Sequence, residues 1–251
     1  MDIWWFDRLI CLHVEEAVKK LYDGEYLKAV KTIDNTYMLL GTSNILQSEF
    51  PFPVSVSTLF NLLTQRAHIH LAFHHYETAD SMIAMADLLI NRNPLPKEMQ
   101  VRYLLLKSNI PTMPNPVCHS LMILSKALKI AESLKNKYMV VEVYMEMGKF
   151  LSTEYSALGL SILRKVETYW KRNQHKEGEI GAKVYRARGS FMLATYKKYQ
   201  WVKDRNRFMQ ETLRLIDTIN PAQIKKAYNR NIYNELKQGV ADYQAYMKNN
   251  G

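Results

Sequence analysis

The sequence predicts an all-α fold, an array of about five antiparallel helix pairs closed by a C-terminal capping helix. Three observations lead there. Only 9 Gly and 8 Pro stand among 251 residues, and no stretch alternates apolar and polar residues strongly enough to argue for a many-turned β architecture. With 47% hydrophobic and 23% charged residues, the chain has enough apolar mass to bury a sizeable core and is not expected to be disordered. A small residue also recurs in helical surroundings at Ala17, Ala67, Ser108, Gly148 and Gly189, with spacings of 50, 41, 40 and 41.

Helical periodicity and breaker residues place the elements in order. The first pair is Phe6 to Tyr22 and Tyr26 to Leu40, joined by a turn at Asp23-Gly24. An extended loop at about 41–57, marked by Gly41, Pro51 and Pro53, lengthens the first interval. The second pair is Val54 to Phe73 and Tyr76 to Asn91. The third, Lys97 to Asn109 and Val117 to Leu134, is interrupted by Pro111, Pro114 and Pro116. The fourth is Tyr138 to Thr153 and Ser156 to Arg172, and the fifth Glu179 to Lys197 and Trp201 to Ile219. Asn220-Pro221 then starts a capping helix at about 222–247, needed because a terminal repeat otherwise exposes its apolar face. The whole is expected to be one helical-repeat domain, 1–251.

Gly24, Tyr26 and Ala29 form a turn in which Gly tolerates the backbone, an aromatic wedges between helices and a small residue allows close approach. Tyr76 and Ala79 repeat the pattern, with His74 in place of the glycine. These residues resemble the inter-helix turn of tetratricopeptide repeats, clearest over residues 17–91. The period near 40 exceeds the family's roughly 34 residues, so the helices or loops are longer here. The resemblance implies a right-handed superhelix whose concave side is lined by the first helix of each pair, and a role in binding another protein.

On that basis the candidate partner-binding positions are Asn61, Gln65 and His68 in the second pair and Arg102 and Asn109 in the third. Glu142, Glu146 and Lys149 follow in the fourth, and Lys183, Arg186 and Ser190 in the fifth. Side chains of these types at one-turn spacing can hydrogen-bond the backbone of an extended peptide. The Lys/Asn arrangement with which some tetratricopeptide domains clamp a terminal carboxylate is not reproduced, because Val14 and Val18, or Thr64 and His68, fill the corresponding positions.

Charge is unevenly distributed. Residues 1–163 carry 15 Lys+Arg against 16 Asp+Glu, whereas residues 164–251 carry 19 against 8, so the net +10 lies in the C-terminal third. A polyanion such as nucleic acid is therefore the second expected partner, through Arg186, Arg188, Lys197, Lys198, Lys203, Arg205 and Arg207 among interleaved aromatics. The plainer reading of those aromatics, Tyr185, Phe191, Tyr196, Tyr199 and Phe208, is as core wedges with the cations covering them. A third reading makes the chain the repeat portion of a larger bacterial regulator.

Catalytic signatures are missing from the sequence: it has no Gly-rich phosphate loop, His-Glu-x-x-His, nucleophile elbow or paired-Cys motif, so no enzyme and no cofactor are expected. Glu142 and Glu146, an i,i+4 carboxylate pair, read as a solvated or ligand-facing stripe. His70 and His74 share the same spacing but have no acidic third ligand beside them, so no metal site is expected. Trp4, Trp5 and Phe6 read as a staple onto the first pair, with a homodimer contact as the alternative. Cys11 and Cys118 read as buried small hydrophobes in a reducing compartment. The N-terminus lacks a secretory pattern and the longest uncharged stretch is broken by prolines, so a cytoplasmic chain without membrane insertion is expected.

Overall fold

The computed structural model describes residues 3–40, 54–110, 116–154, 156–195 and 205–250. Among them are eleven α-helices and no strand, and consecutive helices pack on one another as in a helical repeat. The chain divides into two compact units, Met1–Pro116 and Val117–Gly251.

The first unit holds α1 (Ile3–Tyr22), α2 (Tyr26–Met38), α3 (Val56–Ala72), α4 (Tyr76–Arg92) and α5 (Lys97–Lys107). Phe6, Ile10, Val14, Ala17 and Leu21 recur every three or four residues and form the buried stripe of α1. The α3 helix packs against α1, α2, α4 and α5, and so buries residues on most sides: Leu59, Phe60, Leu62, Leu63, Ala67 and Ile69. Each large one of these contributes roughly 1.5–3 kcal/mol of burial. Phe6 lies in this core, while Trp5 on the same helix is 53% exposed.

The second unit holds α6 (Pro116–Ser133), α7 (Lys137–Thr153), α8 (Ala157–Arg172), α9 (Lys176–Thr195), α10 (Arg205–Thr218) and α11 (Ala227–Asn250). Here α9 is the central helix, touching α7, α8, α10 and α11. It is buried through small residues rather than large ones: Gly181, Ala182, Ala187, Gly189, Ser190 and Ala194 let four neighbours approach its backbone. Gly148 is small for the same reason, since a Cβ there would stand 2.8 Å from Leu163 Cγ. At Gly159 a Cβ would clash with the Ser152 backbone nitrogen, so α7 and α8 touch through main chain.

Four helix connections share one turn, with a residue at positive φ: Gly24 (84°), His74 (60°), Lys135 (55°) and Gln174 (55°). At three of them the next N–H reaches back five residues, from Glu25 to Lys20, His75 to His70 and His175 to Trp170, each at 2.9 Å. This is a left-handed helix C-cap, in which the backward bond satisfies a terminal carbonyl. Only the first of the four has the glycine that makes such a turn legible.

Helix boundaries fall close to those expected except at the ends of the array. The capping helix begins at Ala227 rather than Ala222. Asn220 caps the amide of Ala222 at 3.0 Å to make a 3-10 turn at Pro221–Gln223, and Ile224 is then extended (ψ 94°) and fully buried, which interrupts the helix. Most of the 41–57 loop lies outside the described residues, and its last two residues already belong to α3. No helix among the described residues is long and apolar enough to cross a membrane.

Candidate functional site

In the second unit α7, α9 and α11 converge on Gly181, where a Cβ would lie 3.4 Å from both Met145 Cε of α7 and Asn229 Nδ2 of α11. Side chains from both neighbouring helices thus close over the Gly181 backbone. Around this point lies a polar cluster. Lys149 donates to Glu146 at 2.5 Å on α7 and stands 4.7 Å over the Tyr185 ring of α9. Tyr228, next to Asn229, couples electrostatically to both Lys149 and Tyr185, and Arg188 to Tyr185.

The electrostatics fix what these groups offer. Burial works against the Lys149 ammonium, but the Glu146 carboxylate and the neighbouring Tyr185 and Tyr228 outweigh it, so its pKa is raised and the amine stays charged. Burial raises the Tyr185 phenol against the opposing pull of Lys149, so its hydroxyl stays protonated. Both are hydrogen-bond donors at neutral pH, suited to carbonyl or carboxylate acceptors. Asn229 is 4% exposed, yet its Oδ1 has no hydrogen-bond partner among the described residues. An orphaned buried carbonyl costs about 1–3 kcal/mol, so Asn229 is held there at the expense of stability.

The other positions marked in the sequence are distributed as follows. Glu142 is half-buried on α7, one turn before Glu146. Lys183 pairs with Glu179 at 2.8 Å. Arg186 is buried and bonded to Glu167 of α8 and Glu211 of α10, so its guanidinium ties three helices together instead of joining Lys149. Ser190 is buried, and its hydroxyl has no hydrogen-bond partner among the described residues. In the first unit Asn61, Gln65 and His68 are half-buried on α3, Arg102 is exposed, and Asn109 is exposed and bonds the Leu105 carbonyl at 2.9 Å. Of the basic set, Arg188 and Arg205 are half-buried and Arg207 is exposed, while Lys197, Lys198 and Lys203 lie outside the described residues, as do Tyr196 and Tyr199.

His70 and His74, which share i,i+4 spacing, do not contact one another through a hydrogen bond. His70 faces His75, not His74, which instead meets the Tyr76 hydroxyl at 2.8 Å. Cys118 is exposed rather than buried, and Cys11 half-buried. Asn229 and Tyr228 escaped the sequence reading because a capping helix was expected to be only a cover. The available signal was the eight-residue spacing of Gly181 and Gly189, which puts both on one face of α9 and announces close neighbours on that side.

No protein-family model matches the chain, and no curated protein matches it.

Proposed function

We propose that the chain is a non-catalytic, tetratricopeptide-like scaffold or sensor whose helix pairs stack in a right-handed superhelix, and that the side carried by α7, α9 and α11 engages an extended peptide or partner segment. The observation that carries this reading is the orphaned Oδ1 of buried Asn229 beside the Lys149, Glu146 and Tyr185 cluster. A carboxamide can take a peptide N–H and give its own N–H to a carbonyl, and the charged lysine and neutral phenol supply further donors. A peptide library titrated against the full chain tests it. Binders in the micromolar range are expected to lose at least tenfold in affinity on Asn229→Ala and on Lys149→Met; affinities unchanged by both substitutions would remove the site.

A second reading has its own observation. Arg164, Lys165, Lys171 and Arg172 of α8 and Arg207 and Arg214 of α10 are exposed, with Arg164 and Arg214 sharing Glu211 with the buried Arg186. Such a face suits a polyanion, nucleic acid being the example with regular phosphate spacing. Binding through it falls steeply with salt, in proportion to the phosphates contacted. A salt-independent affinity would exclude it.

A further inference from the structure

The geometry points to a divalent transition-metal site at the turn between α3 and α4, with the Nδ1 atoms of His70 and His75 as its two protein ligands. The recurring left-handed turn creates it. Positive φ at His74 sends the chain back so that the His75 amide bonds the His70 carbonyl, and the side chain at that position returns over the side chain five residues earlier. The α8–α9 turn does the same with His175 and Trp170, whose rings lie 4.7 Å apart. In the α3–α4 turn both residues are histidines, with ring centroids 5.4 Å apart and Nδ1 atoms 3.2 Å apart. Two imidazole nitrogens on one tetrahedral ion, each at about 2.0–2.1 Å, stand roughly 3.3 Å from each other. The spacing is that of a chelating pair.

The remaining contacts prepare His70 as a ligand. Its Nε2 lies 3.0 Å from Asp34 Oδ1, and Arg66 Nε donates to the same oxygen at 2.7 Å. The Asp34 carboxylate is ion-paired with the Arg66 guanidinium, whose charge it balances. A carboxylate has no proton to give, so His70 Nε2 carries the N–H and Nδ1 presents its lone pair to His75. This carboxylate–imidazole arrangement orients metal-binding histidines generally and raises their basicity. His70 is buried and His75 exposed, so one ligand is held and the other stands at the solvent side where an ion enters. On binding, the ion replaces the proton between the two nitrogens; that proton passes to Nε2 of His75, and both ligands are neutral. Among the described residues no group of three or more metal-ligating side chains gathers, so water completes the coordination. Imidazole and water favour Cu2+, Ni2+ or Zn2+ over harder ions, with Cu2+ tightest.

The site belongs to the first unit and stands independently of the peptide-binding reading. Titration of the full chain with Cu2+, and separately with Zn2+, in a weakly coordinating buffer tests it, with the Cu2+ electron paramagnetic resonance spectrum as the structural readout. One tight equivalent with two nitrogens in the equatorial plane is expected. His75→Ala, at an exposed position, should weaken that equivalent at least tenfold and remove one nitrogen from the spectrum, while His74→Ala leaves both unchanged. Absence of binding below millimolar metal, an unchanged spectrum in His75→Ala, or an equal loss in His74→Ala would overturn the assignment.

Discussion

At the residue scale, two kinds of position decide how the second unit holds together. Gly159 is one, because its Cα lies against the main chain of α7 and nothing flexible is available to move. Gly159→Ala should cost about 1–3 kcal/mol through overpacking, measured as a lower urea midpoint with unchanged slope. Arg186 is the other. It is 4% exposed between two glutamates, so Arg186→Met takes away the Arg186 partner of Glu167 and leaves Glu211 to Arg214 and Arg164, and should destabilise the fold by roughly 1–3 kcal/mol at neutral pH. Glu211 sharpens this into a pH prediction. Burial raises its pKa, but bonds and charge from Arg214 and Arg186 lower it further, to a net value below the ordinary one. The folded chain therefore binds fewer protons than the unfolded one, and the stability from Glu211 is present above about pH 4 and disappears as pH falls through the folded value. Acid unfolding should accordingly be less steep in Arg186→Met than in the wild type. Equal steepness would mean that Arg186 does not set the Glu211 titration. Asn229 behaves oppositely, since replacing an orphaned carboxamide removes a penalty. Asn229→Leu should leave the melting temperature unchanged or raise it, even where it abolishes ligand binding. A large loss of stability would instead make Asn229 a structural residue.

At the element scale the repeated turn is the organising device. His74, Lys135 and Gln174 occupy a left-handed conformation that side chains disfavour. Glycine at Lys135 or Gln174 should therefore stabilise the protein by about 0.5–1 kcal/mol, net of its larger unfolded-state entropy, in urea titrations. Destabilisation at both would show that their side chains hold the turns. These same turns explain what the sequence made legible. Helix number and order followed from apolar spacing and from Gly and Pro, because amphipathic stripes such as Phe6, Ile10, Val14, Ala17 and Leu21 are written directly in the chain. The two later turns were not, because Lys135 and Gln174 carry no conformational signature. The partner of His70 was equally hidden. Helical spacing selects His74, whereas the reversal of the chain at that residue delivers His75.

At the scale of the molecule, each unit is built around one helix enclosed by its neighbours, α3 in the first and α9 in the second. They achieve it differently. The interior of α3 is rich in Leu, Ile and Phe, so its burial is evident from hydrophobicity, whereas α9 is enclosed because it is small and its sequence reads as only weakly amphipathic. The candidate site lies on that second helix and its neighbours α7 and α11, which is why Glu146 and Lys149 were visible in the sequence and their companions Asn229 and Tyr228 were not. The net charge adds a whole-molecule expectation, since the basic excess of residues 164–251 should make any polyanion affinity a property of the second unit.

Hydrogen–deuterium exchange of the full chain, with and without a peptide selected from the library, tests the central claim most directly. The account predicts protection concentrated on residues 142–149 of α7, 181–188 of α9 and 227–232 at the start of α11. Protection confined to α8 and α10, or to the first unit, would contradict it.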